Sequence, residues 1–531
     1  MATVTAIPPF TNEAFLDWDD ADNVRQMEEA LAQVRSEFDR THPLYSGGRK
    51  VTEGERDASR SPSDKDLVVG YTIRATADQA RDAIGAAAEA FQTWRKVPWE
   101  ERAQYLFRAA DALRARRFEF AAIMVYEVSK SWVEADADVA ELIDFAEYYA
   151  REALRLGEPQ PVVEHPGERG QMLYIPLGVG AVIPPWNFPG AIMGGMAMAA
   201  IVTGNTVVLK PAHTATIIAA RFVELLVDEL GLPAGVLNFV PGPGAVIGDA
   251  IVDDPRTRFI AFTGSKEIGI RIYERAAKVH PGQIWLKRTI LEMGGKDSIV
   301  VDETADVESA AQGIVAAAFG FQGQKCSACS RAIVVDDVYD AVLEQVIAGA
   351  KKLTQGDPVD RNNFMGAVID DKAFTKISEY IEIGRKEGRL VLGGDVRDPD
   401  ESGGYYIPPT VFADVEPDSR LSQEEVFGPV LAFIRASDFE HAMEIANNTE
   451  FGLTGSLYSN RRERLDRAAE DFHVGNLYLN RKFTGALVGV HPFGGFNMSG
   501  TDSKAGGPDY LLLFTQAKSV AEKVTGSRRV L

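Results

Sequence analysis

Residues 179–210, VGAVIPPWNFPGAIMGGMAMAAIVTGNTVVLK, contain two short β-branched runs on either side of a stretch of small residues. Comparable strands are expected at 236–240 (VLNFV) and 258–262 (RFIAF). The helix-like segments that separate and follow these strands are 190–203, 215–230, 244–252 and 266–279. Strands that alternate with helices run parallel and are joined by right-handed crossovers. This region therefore predicts a doubly wound α/β sheet, which binds its ligand beyond the carboxyl ends of its strands.

The alternation of strand and helix resumes near Glu292 and predicts a second α/β unit. Its strands and helices are expected at 297–301, 306–319, 331–335, 336–354 and 477–480. Residues 75–156 are rich in Ala, Glu and Arg, with apolar residues at three- and four-residue spacing, which is typical of helices. Residues 1–50 are interpreted as an N-terminal arm with an amphipathic helix around Asn23–Phe38.

The segment 511–524, LLLFTQAKSVAEKV, is apolar and then alternating, so it predicts a strand near the end of the chain. Two interpretations of this strand remain open. It either completes a sheet in a neighbouring subunit or forms an ordinary edge strand.

The composition narrows the class of protein. The chain has 531 residues, which corresponds to about three to four domain-sized units. Hydrophobic residues make up 45% and charged residues 25%, which excludes a disordered or collagen-like protein. The net charge of −21 gives an acidic surface that repels phosphate backbones and anionic lipids. We therefore expect neither a nucleic acid nor a membrane as partner.

A run without a charged residue extends from Gly170 to Leu209. Four prolines within it interrupt any spanning helix, so the run is interpreted as a buried α/β core. The first residues of the chain lack a basic segment followed by an apolar one. The two cysteines, Cys326 and Cys329, are too close together to form a useful disulfide loop. These features favour a reducing, cytoplasmic location.

Two glycine-containing turns follow predicted strands of the first sheet. In 242–248 the glycines are spaced as GxGxxxG, which differs from the dinucleotide fingerprint GxGxxG, and a tight strand-to-helix turn is the alternative. In 262–269 (FTGSKEIG), Thr263 ends a strand and Ser265 is placed to cap the next helix. A helix N-terminus without an acidic cap attracts a pyrophosphate, and an ordinary structural cap is again the alternative.

Two other kinds of site are excluded. The GGK at 294–296 lacks the residues of a phosphate-binding P-loop, because position 290 is Ile and position 297 is Asp. The seven histidines are scattered, and none has the spacing to carboxylates that a metal site needs.

The strongest candidate chemistry combines LEMGGK (291–296) with GFQGQKCSACS (320–330). Cys326 lies among small and polar residues beside Lys325. The charge of this lysine, or a helix N-terminus, would lower the pKa of the thiol from its usual value of about 8.5. Two alternatives stay open: an inert buried cysteine, and a C-x-x-C redox pair of Cys326 with Cys329.

Seven motifs occur in an order that resembles the aldehyde dehydrogenase superfamily. They are IPPWNFP (183–189), LKPA (209–212), FTGS (262–265), LEMGGK (291–296), GQKC (323–326), EEVFGPV (424–430) and HPFGG (491–495). The resemblance covers about residues 50–525 and implies an α/β fold of two doubly wound parallel-sheet domains plus a small oligomerisation β-flap. The implied parts are an N-terminal arm (1–50), an NAD-binding Rossmann-like domain (51–152 and 174–290), a catalytic domain (291–490) and two oligomerisation segments (153–173 and 506–531).

The resemblance implies a covalent mechanism on three residues. Cys326 would attack the aldehyde carbon and form a thiohemiacetal that releases a hydride. The side-chain amide of Asn187 and the backbone N–H of Cys326 would stabilise the oxyanion. After hydride transfer to the nicotinamide, Glu292 would act as general base on the water that hydrolyses the thioester. An apolar environment would raise the pKa of this carboxyl group.

The same resemblance implies the residues that bind the cofactor. Lys210 would bind the adenine ribose, Ser265 the pyrophosphate and Glu425 the nicotinamide ribose. The complete implied set is Ile183, Pro184, Pro185, Trp186, Lys210, His213, Gly244, Thr263, Gly264, Ser265, Met293, Gly294, Glu425 and Phe427. The family often has an acid where His213 stands, and a histidine does not repel a 2′-phosphate. NAD is therefore the expected cofactor, with NADP as an alternative.

Within the superfamily, the arm, GFQGQKCSACSR (320–331) and TGALVGVHPFGG (484–495) resemble the branch that oxidises L-glutamate γ-semialdehyde in proline catabolism. The implied substrate-binding residues are Glu141, Phe188, Lys325, Ser327, Phe483, Gly485 and Ala486. Glu141 would pair with the α-ammonium group, and the backbone amides of Gly485 and Ala486 would hold the α-carboxylate. Phe188 and Phe483 would enclose the methylene chain.

Two other functions stay open, namely oxidation of another semialdehyde or aliphatic aldehyde and a non-catalytic structural role. The implied partners are a small-molecule substrate, further copies of the chain in a homo-oligomer from dimer to hexamer, and a functional coupling to a separate proline dehydrogenase. His491 stands where the family commonly has Gln, and the sequence does not explain its role.

Overall fold

The structure, a computed structural model, describes residues 7–525 and 528–529. Residues 1–6 of the predicted arm lie outside the described residues, and so do 526, 527, 530 and 531 of the predicted C-terminal oligomerisation segment.

The N-terminal half of the chain builds a helical layer and the first sheet. Its helices and strands are α1 (Ala21–Ser36), β1 (Thr41–His42), β2 (Leu44–Ser46), β3 (Arg49–Val51), β4 (Arg56–Arg60), β5 (Val68–Ile73), α2 (Ala77–Trp94), α3 (Trp99–Ala115), α4 (Arg117–Val128), α5 (Trp132–Gly157), β6 (Glu168–Pro176), β7 (Val179–Ile183), α6 (Ala191–Val202), β8 (Thr206–Leu209), α7 (Thr216–Glu224), β9 (Leu237–Phe239), α8 (Asp249–Asp253), β10 (Thr257–Thr263), α9 (Lys266–Ala277) and β11 (Arg288–Glu292). Two π-helical turns, Leu225–Glu229 and Gly244–Gly248, follow α7 and precede α8.

The C-terminal half builds the second sheet and the β-flap. Its helices and strands are β12 (Ser298–Val301), α10 (Val307–Phe319), β13 (Arg331–Val335), α11 (Asp336–Ala350), α12 (Asp371–Glu387), β14 (Arg389–Leu392), α13 (Pro399–Ser402), β15 (Thr410–Ala413), α14 (Arg420–Gln423), β16 (Val430–Ala436), α15 (Phe439–Asn447), β17 (Phe451–Gly452), β18 (Thr454–Tyr458), α16 (Arg462–Asp471), β19 (Asn476–Leu479), β20 (Phe496–Asn497), β21 (Thr515–Thr525) and β22 (Arg528–Arg529). Short 3₁₀ turns occupy Gly320–Gly323 and Tyr510–Phe514.

The first sheet has seven strands in the order β11-β10-β7-β8-β9-β2-β3. The strands from β11 to β9 are parallel, whereas β2 and β3 add an antiparallel edge. The parallel strands confirm the alternation predicted from the sequence. The predicted boundary at residue 50 differs from the structure, because β2 and β3 belong to the sheet and the side chains of Leu44 and Tyr45 are buried in its core.

The second sheet also has seven strands, in the order β14-β15-β16-β13-β12-β18-β19. All of its neighbouring pairs are parallel except β14 with β15. The two sheets confirm the expected α/β fold with two doubly wound parallel-sheet units. Parallel register in the first sheet aligns Glu292 with Thr263, and Phe262 with Ile183, so the ends of three strands meet at one edge.

The terminal strand β21 pairs along its length with β6 of the same chain, from Thr515 opposite Pro176 to Lys523 opposite Glu168. With β22 they form a separate three-stranded sheet, the β-flap. The uncharged run from Gly170 to Leu209 forms part of β6 and all of β7, α6 and β8. Among the described residues, no helix combines the length and the apolar character needed to cross a membrane.

Candidate active site

A cavity of about 830 Å³ opens where the strands of the first sheet end and faces the second sheet unit. The segments after β7, β8, β10 and β11 form one wall, and Cys326, Glu425 and Phe427 come from the other side. We call it the dinucleotide cavity. All residues predicted to bind the cofactor line it except His213.

The prediction for His213 was wrong in its placement. The wall of the dinucleotide cavity contains Ala212, whereas His213 is exposed and lies outside it. The wall also contains the acidic residue Asp249, which pairs with Arg271 at 2.6 Å and with Arg275 at 3.3 Å. Sequence reasoning missed these three residues because their helices, α8 and α9, carry no motif that singles them out.

The end of the dinucleotide cavity near β8 and α9 offers hydrogen-bond donors. Lys210 follows β8, is almost fully buried, and donates from Nζ to the Pro211 carbonyl at 3.0 Å. Burial lowers the pKa of this lysine to about 8. Ser265 caps α9 by accepting from the Ile268 N–H at 3.4 Å, so the positive end of this helix begins at the cavity wall.

The opposite end of the dinucleotide cavity offers a carboxylate and aromatic rings. Glu425 Oε1 accepts from the Gly295 N–H at 3.0 Å, and burial raises the pKa of this carboxyl group. The ring of Phe427 meets Trp186 edge to face, with 5.6 Å between the ring centroids. Lys376, which the sequence analysis did not select, donates to the Glu425 carbonyl at 2.9 Å.

Cys326 lies on the wall shared by the dinucleotide cavity and a smaller cavity of about 110 Å³, the substrate cavity. Its turn follows a 3₁₀ segment in which Phe321 and Gln322 adopt left-handed backbone angles. The suggested helix N-terminus at the thiol is therefore absent from the described structure around this residue. Cys326 is partly exposed, and its exposed face is directed into the two cavities.

The predicted lowering of the Cys326 pKa was wrong. Lys325 forms an ion pair with Glu134 at 2.7 Å, which neutralises the expected positive neighbour. Burial raises the pKa of the Cys326 thiol, and the carboxylates of Asp297, Glu292 and Glu425 raise it further. The thiol is therefore protonated at neutral pH and requires a base when it attacks.

Cys329 lies apart from both cavities. It is buried in the core of the second sheet unit, and its Sγ–H donates to the Arg331 carbonyl at 3.4 Å. Both cysteines are free thiols. The arrangement gives no support to a redox pair of Cys326 and Cys329.

Asn187 lies on the wall of the dinucleotide cavity together with Cys326. The side chain is buried, and Nδ2 donates to the Gln324 carbonyl at 3.0 Å. An asparagine amide carries two N–H donors, so the second hydrogen of Nδ2 is available to a ligand.

Glu292 ends β11 and lies on the wall of the substrate cavity. Its Oε1 accepts hydrogen bonds from the hydroxyl and the backbone N–H of Ser503, whereas Oε2 is buried without a hydrogen-bond partner among the described residues. Burial raises the pKa of this carboxyl group to about 7. Ser503 was missed, since no local pattern connects it with a residue more than 200 positions earlier.

The substrate cavity contains six of the seven residues predicted to bind the substrate. These are Glu141, Phe188, Lys325, Ser327, Gly485 and Ala486. Phe483 was wrongly predicted, because its side chain is fully buried in the apolar core of the second sheet unit. Further apolar walls come from residues that the sequence analysis missed, namely Phe145, Tyr149, Phe493 and Tyr510.

One wall of the substrate cavity carries an isolated carboxyl group. Glu141 on α5 has no hydrogen-bond or ion-pair partner within the described residues, and burial together with Asp138 raises its pKa to about 8. The buried Lys130 binds Asp138 at 2.7 Å and lies 4.0 Å above the ring of Phe188. This lysine holds an aromatic wall in place but leaves the Glu141 carboxyl group unpaired.

A second wall of the substrate cavity presents backbone amides. Gly485 has a φ of +79°, a left-handed conformation that glycine adopts without strain. Within the described residues, neither the N–H of Gly485 nor that of Ala486 has a hydrogen-bond acceptor. A cation bound beside Glu141 favours the ionised form of its carboxyl group. The cavity can therefore bind a cation at Glu141 and an anion at these amides.

The sequence profile of the Aldehyde dehydrogenase family matches residues 51–520. A 1-pyrroline-5-carboxylate dehydrogenase from Geobacillus sp. (strain WCH70) is 59% identical over 516 residues, 97% of this chain and 99% of that protein. The structure of a 1-pyrroline-5-carboxylate dehydrogenase from Thermus with bound NAD is 51% identical, superposes with a TM-score of 0.95, and matches 98% of this chain and 100% of that chain. Proline utilization A from Bdellovibrio bacteriovorus is 43% identical with a TM-score of 0.95 over 97% of this chain, which corresponds to 54% of that chain. On the matched profile and these near-full-length similarities, the chain belongs to the aldehyde dehydrogenase family.

Proposed function

We propose that this protein oxidises L-glutamate γ-semialdehyde, the open-chain form of 1-pyrroline-5-carboxylate, to L-glutamate with NAD. The observation that carries the proposal is the substrate cavity at Cys326. An unpaired carboxyl group, Glu141, and two unpaired backbone N–H groups, at Gly485 and Ala486, line this one cavity. These groups complement the α-ammonium and α-carboxylate groups of the substrate. The relatives named 1-pyrroline-5-carboxylate dehydrogenase match nearly the whole chain and support the same reaction.

The dinucleotide cavity has the donors and acceptors that NAD requires. Lys210 and the N-terminus of α9 at Ser265 supply a cation and helix amides for the ribose and the pyrophosphate. Glu425 supplies a carboxylate for the second ribose, and Trp186 and Phe427 supply flat apolar surfaces. When bound, NAD supplies the hydride acceptor for the reaction.

The first step forms a bond between Cys326 Sγ and the aldehyde carbon. Because the pKa of the thiol is raised, its proton has to leave as the bond forms, and Glu292 with its unpaired Oε2 is the base that we assign to it. The carbonyl oxygen gains the electron pair of the C=O bond. The second Nδ2 hydrogen of Asn187 and the Cys326 N–H stabilise this oxyanion.

The later step hydrolyses the Cys326 thioester, which remains once the former aldehyde carbon has lost its hydride and the C=O bond has formed again. Glu292 has a pKa of about 7, so it returns its first proton to solvent near neutral pH and is again available as a base. It then removes a proton from water as the oxygen attacks the thioester carbon. The C–S bond breaks, the carboxylate product leaves, and Cys326 recovers its proton.

The experiment that tests the function is an NADH-formation assay on three aldehydes at equal concentration. L-Glutamate γ-semialdehyde carries both charged groups, succinate semialdehyde carries only the carboxylate, and propanal carries neither. We expect kcat/KM to fall in that order, with NADP run in parallel to NAD. Equal values for all three aldehydes would contradict the proposal, and no turnover of any of them would favour a non-catalytic role.

We propose that the chain forms a homo-oligomer through its β-flap. The segments 153–173 and 506–531 were predicted for this role, and their described parts contain β6 and β21. Large apolar side chains are exposed at Val163 (95%) beside the flap and at Ile284 (85%) before β11. Val162 is also exposed beside Val163, and Leu286 near Ile284, and clusters of exposed apolar residues are typical of interaction surfaces. A mass measured by light scattering that equals one chain would contradict this proposal.

Three smaller assignments accompany the proposed function. The NAD-binding domain (51–152 and 174–290) and the catalytic domain (291–490) remain as predicted apart from the edge strands β2 and β3. Since the mechanism needs Cys326 as a free thiol, a reducing compartment such as the cytoplasm suits the protein. We also propose a functional coupling to a separate enzyme that dehydrogenates proline, because proline reaches the oxidation level of this substrate by losing two electrons and two protons.

A further inference from the structure

An N-terminal segment reaches the substrate site from outside. Residues 7–20 run ahead of α1 and lie against α5. The side chain of Asn12 donates from Nδ2 to Asp144 Oδ2 at 2.8 Å and to the Val488 carbonyl at 2.9 Å. Both hydrogens of one amide nitrogen are therefore used, one toward each partner.

The two partners of Asn12 lie on two segments that each supply residues to the substrate cavity. Asp144 lies on α5 one turn after Glu141, and Val488 lies three residues after Gly485 in the loop that carries the unpaired amides. Asn12 thus connects the carboxyl wall with the amide wall through a single nitrogen atom.

Neighbouring contacts hold Asn12 in place. The backbone N–H of Glu13 donates to Asp144 Oδ1 at 2.7 Å, so both carboxylate oxygens of the buried Asp144 are bound by the arm. The ring of Phe10 meets Tyr148 edge to face at 5.2 Å. Gly489 lies so close to both rings that a Cβ there would be 3.1 to 3.2 Å from them.

We propose that Asn12 is a positioning residue that sets the distance between Glu141 and the amides of Gly485 and Ala486. The inference rests on the proposed function, since it concerns only a substrate that binds both walls. A substrate with an α-ammonium and an α-carboxylate on one carbon needs these walls at a defined separation. The binding of an aldehyde that lacks both groups does not depend on the separation of the two walls.

The test compares Asn12→Ala and Asn12→Asp with the wild type on L-glutamate γ-semialdehyde and on propanal. Asn12→Asp keeps the shape of the side chain but loses the donating nitrogen and adds a charge beside Asp144. We expect both variants to raise KM for the semialdehyde about five- to tenfold, with little change in kcat, and to leave KM for propanal unchanged. The matched control is Asn23→Ala, which removes an exposed amide that donates only to the Asp17 carbonyl and should change nothing.

Two results would overturn the inference while leaving the proposed function intact. One is an unchanged KM for the semialdehyde in both variants, and the other is an equal rise of KM for both aldehydes. A wild type that does not prefer the semialdehyde to propanal would instead refute the proposed function, and this inference with it. Melting temperatures of all variants separate these outcomes from loss of the fold.

Discussion

The two cavities that meet at Cys326 are built in different ways. One wall of the dinucleotide cavity consists of short motifs at the ends of strands of one sheet, at Ile183, Lys210, Thr263 and Met293. The substrate cavity takes its walls from α5, the turn at Cys326 and the loop at Gly485, and the arm braces it from outside. A sheet edge thus lines the proposed cofactor site, whereas segments distant in sequence line the proposed substrate site.

The two cavities therefore differ in how strongly the fold fixes the positions of their wall residues. Parallel strands bring their carboxyl ends together in any doubly wound sheet, so the dinucleotide cavity follows from the fold itself. The substrate cavity depends on a loop and an arm whose positions no sheet imposes. We therefore expect substitutions on the two sides to affect different kinetic constants, and substitutions at the shared wall to affect both sides together.

The largest effect is expected at Cys326, which belongs to both cavities. Cys326→Ser should lower kcat by about 10³-fold or more, because the substitution removes the covalent step, while NAD binding measured by calorimetry should persist. Cys329→Ser is the matched control and should keep most of the activity. Full NADH production by Cys326→Ser would contradict the assignment of Cys326 as the reactive residue that the two cavities share.

The second effect concerns Glu292 and is visible in the pH profile. Since the deprotonated carboxylate is the base and its pKa is about 7, kcat should rise with pH through about 7. Glu292→Gln should lower kcat by about 10²- to 10³-fold and should make NADH appear as a burst, because the thioester accumulates.

Ser503→Ala provides the control for this assignment. Its hydroxyl donates to Glu292 and lowers the pKa of that carboxyl group, so the variant should shift the rising limb to higher pH. If the rising limb of kcat against pH is unchanged in both Glu292→Gln and Ser503→Ala, a titrating group other than Glu292 controls the pH profile.

The third effect tests the oxyanion site on the wall between the cavities. Asn187→Ala should lower kcat by about 10²-fold, which corresponds to about 3 kcal/mol of transition-state stabilisation. Asn362→Ala removes an exposed loop amide that binds Asp360 and serves as the control. A change of less than twofold for Asn187→Ala would assign the oxyanion to other donors.

The smallest effects are expected at Glu141 and Lys210. Each substitution should change KM for only one of the two substrates, the aldehyde or NAD. Glu141→Gln should raise KM for L-glutamate γ-semialdehyde about tenfold and leave KM for NAD and for succinate semialdehyde unchanged. Lys210→Met should raise KM for NAD about tenfold and leave KM for the aldehyde unchanged. Steady-state kinetics on both substrates would test this. A variant that raises KM for both NAD and the aldehyde would contradict separate roles for the two cavities.

Much of the dinucleotide side was predictable from local patterns. The strands at 179–183, 206–210, 236–240 and 258–262 are found within one or two residues of their predicted positions, because β-branched runs bounded by turn residues identify buried strands. His213 failed as a wall residue, since it stands four positions after the end of β8 and its side chain is exposed. The cavity residues Asp249 and Arg271 were invisible because they lie on ordinary helix faces.

The substrate side shows where prediction from sequence stops. The resemblance pointed to Glu141 and Gly485, but it also pointed to Phe483, whose ring turns into the core. The bracing contact from Asn12 to Val488 joins residues 476 positions apart, so no local pattern relates them. Ser503 beside Glu292 is a further example, with a separation of 211 positions.

The amino-acid sequence by itself determined the order of strands and helices and the residues that stand at the strand ends, because periodicity and turn residues act over a few positions. The tertiary structure alone decided the protonation of the site. Lys325 stands next to Cys326 in the chain, yet its charge is paired with Glu134 and the thiol faces carboxylates instead. Burial and charge act through space, so they depend on which distant segments the fold brings together.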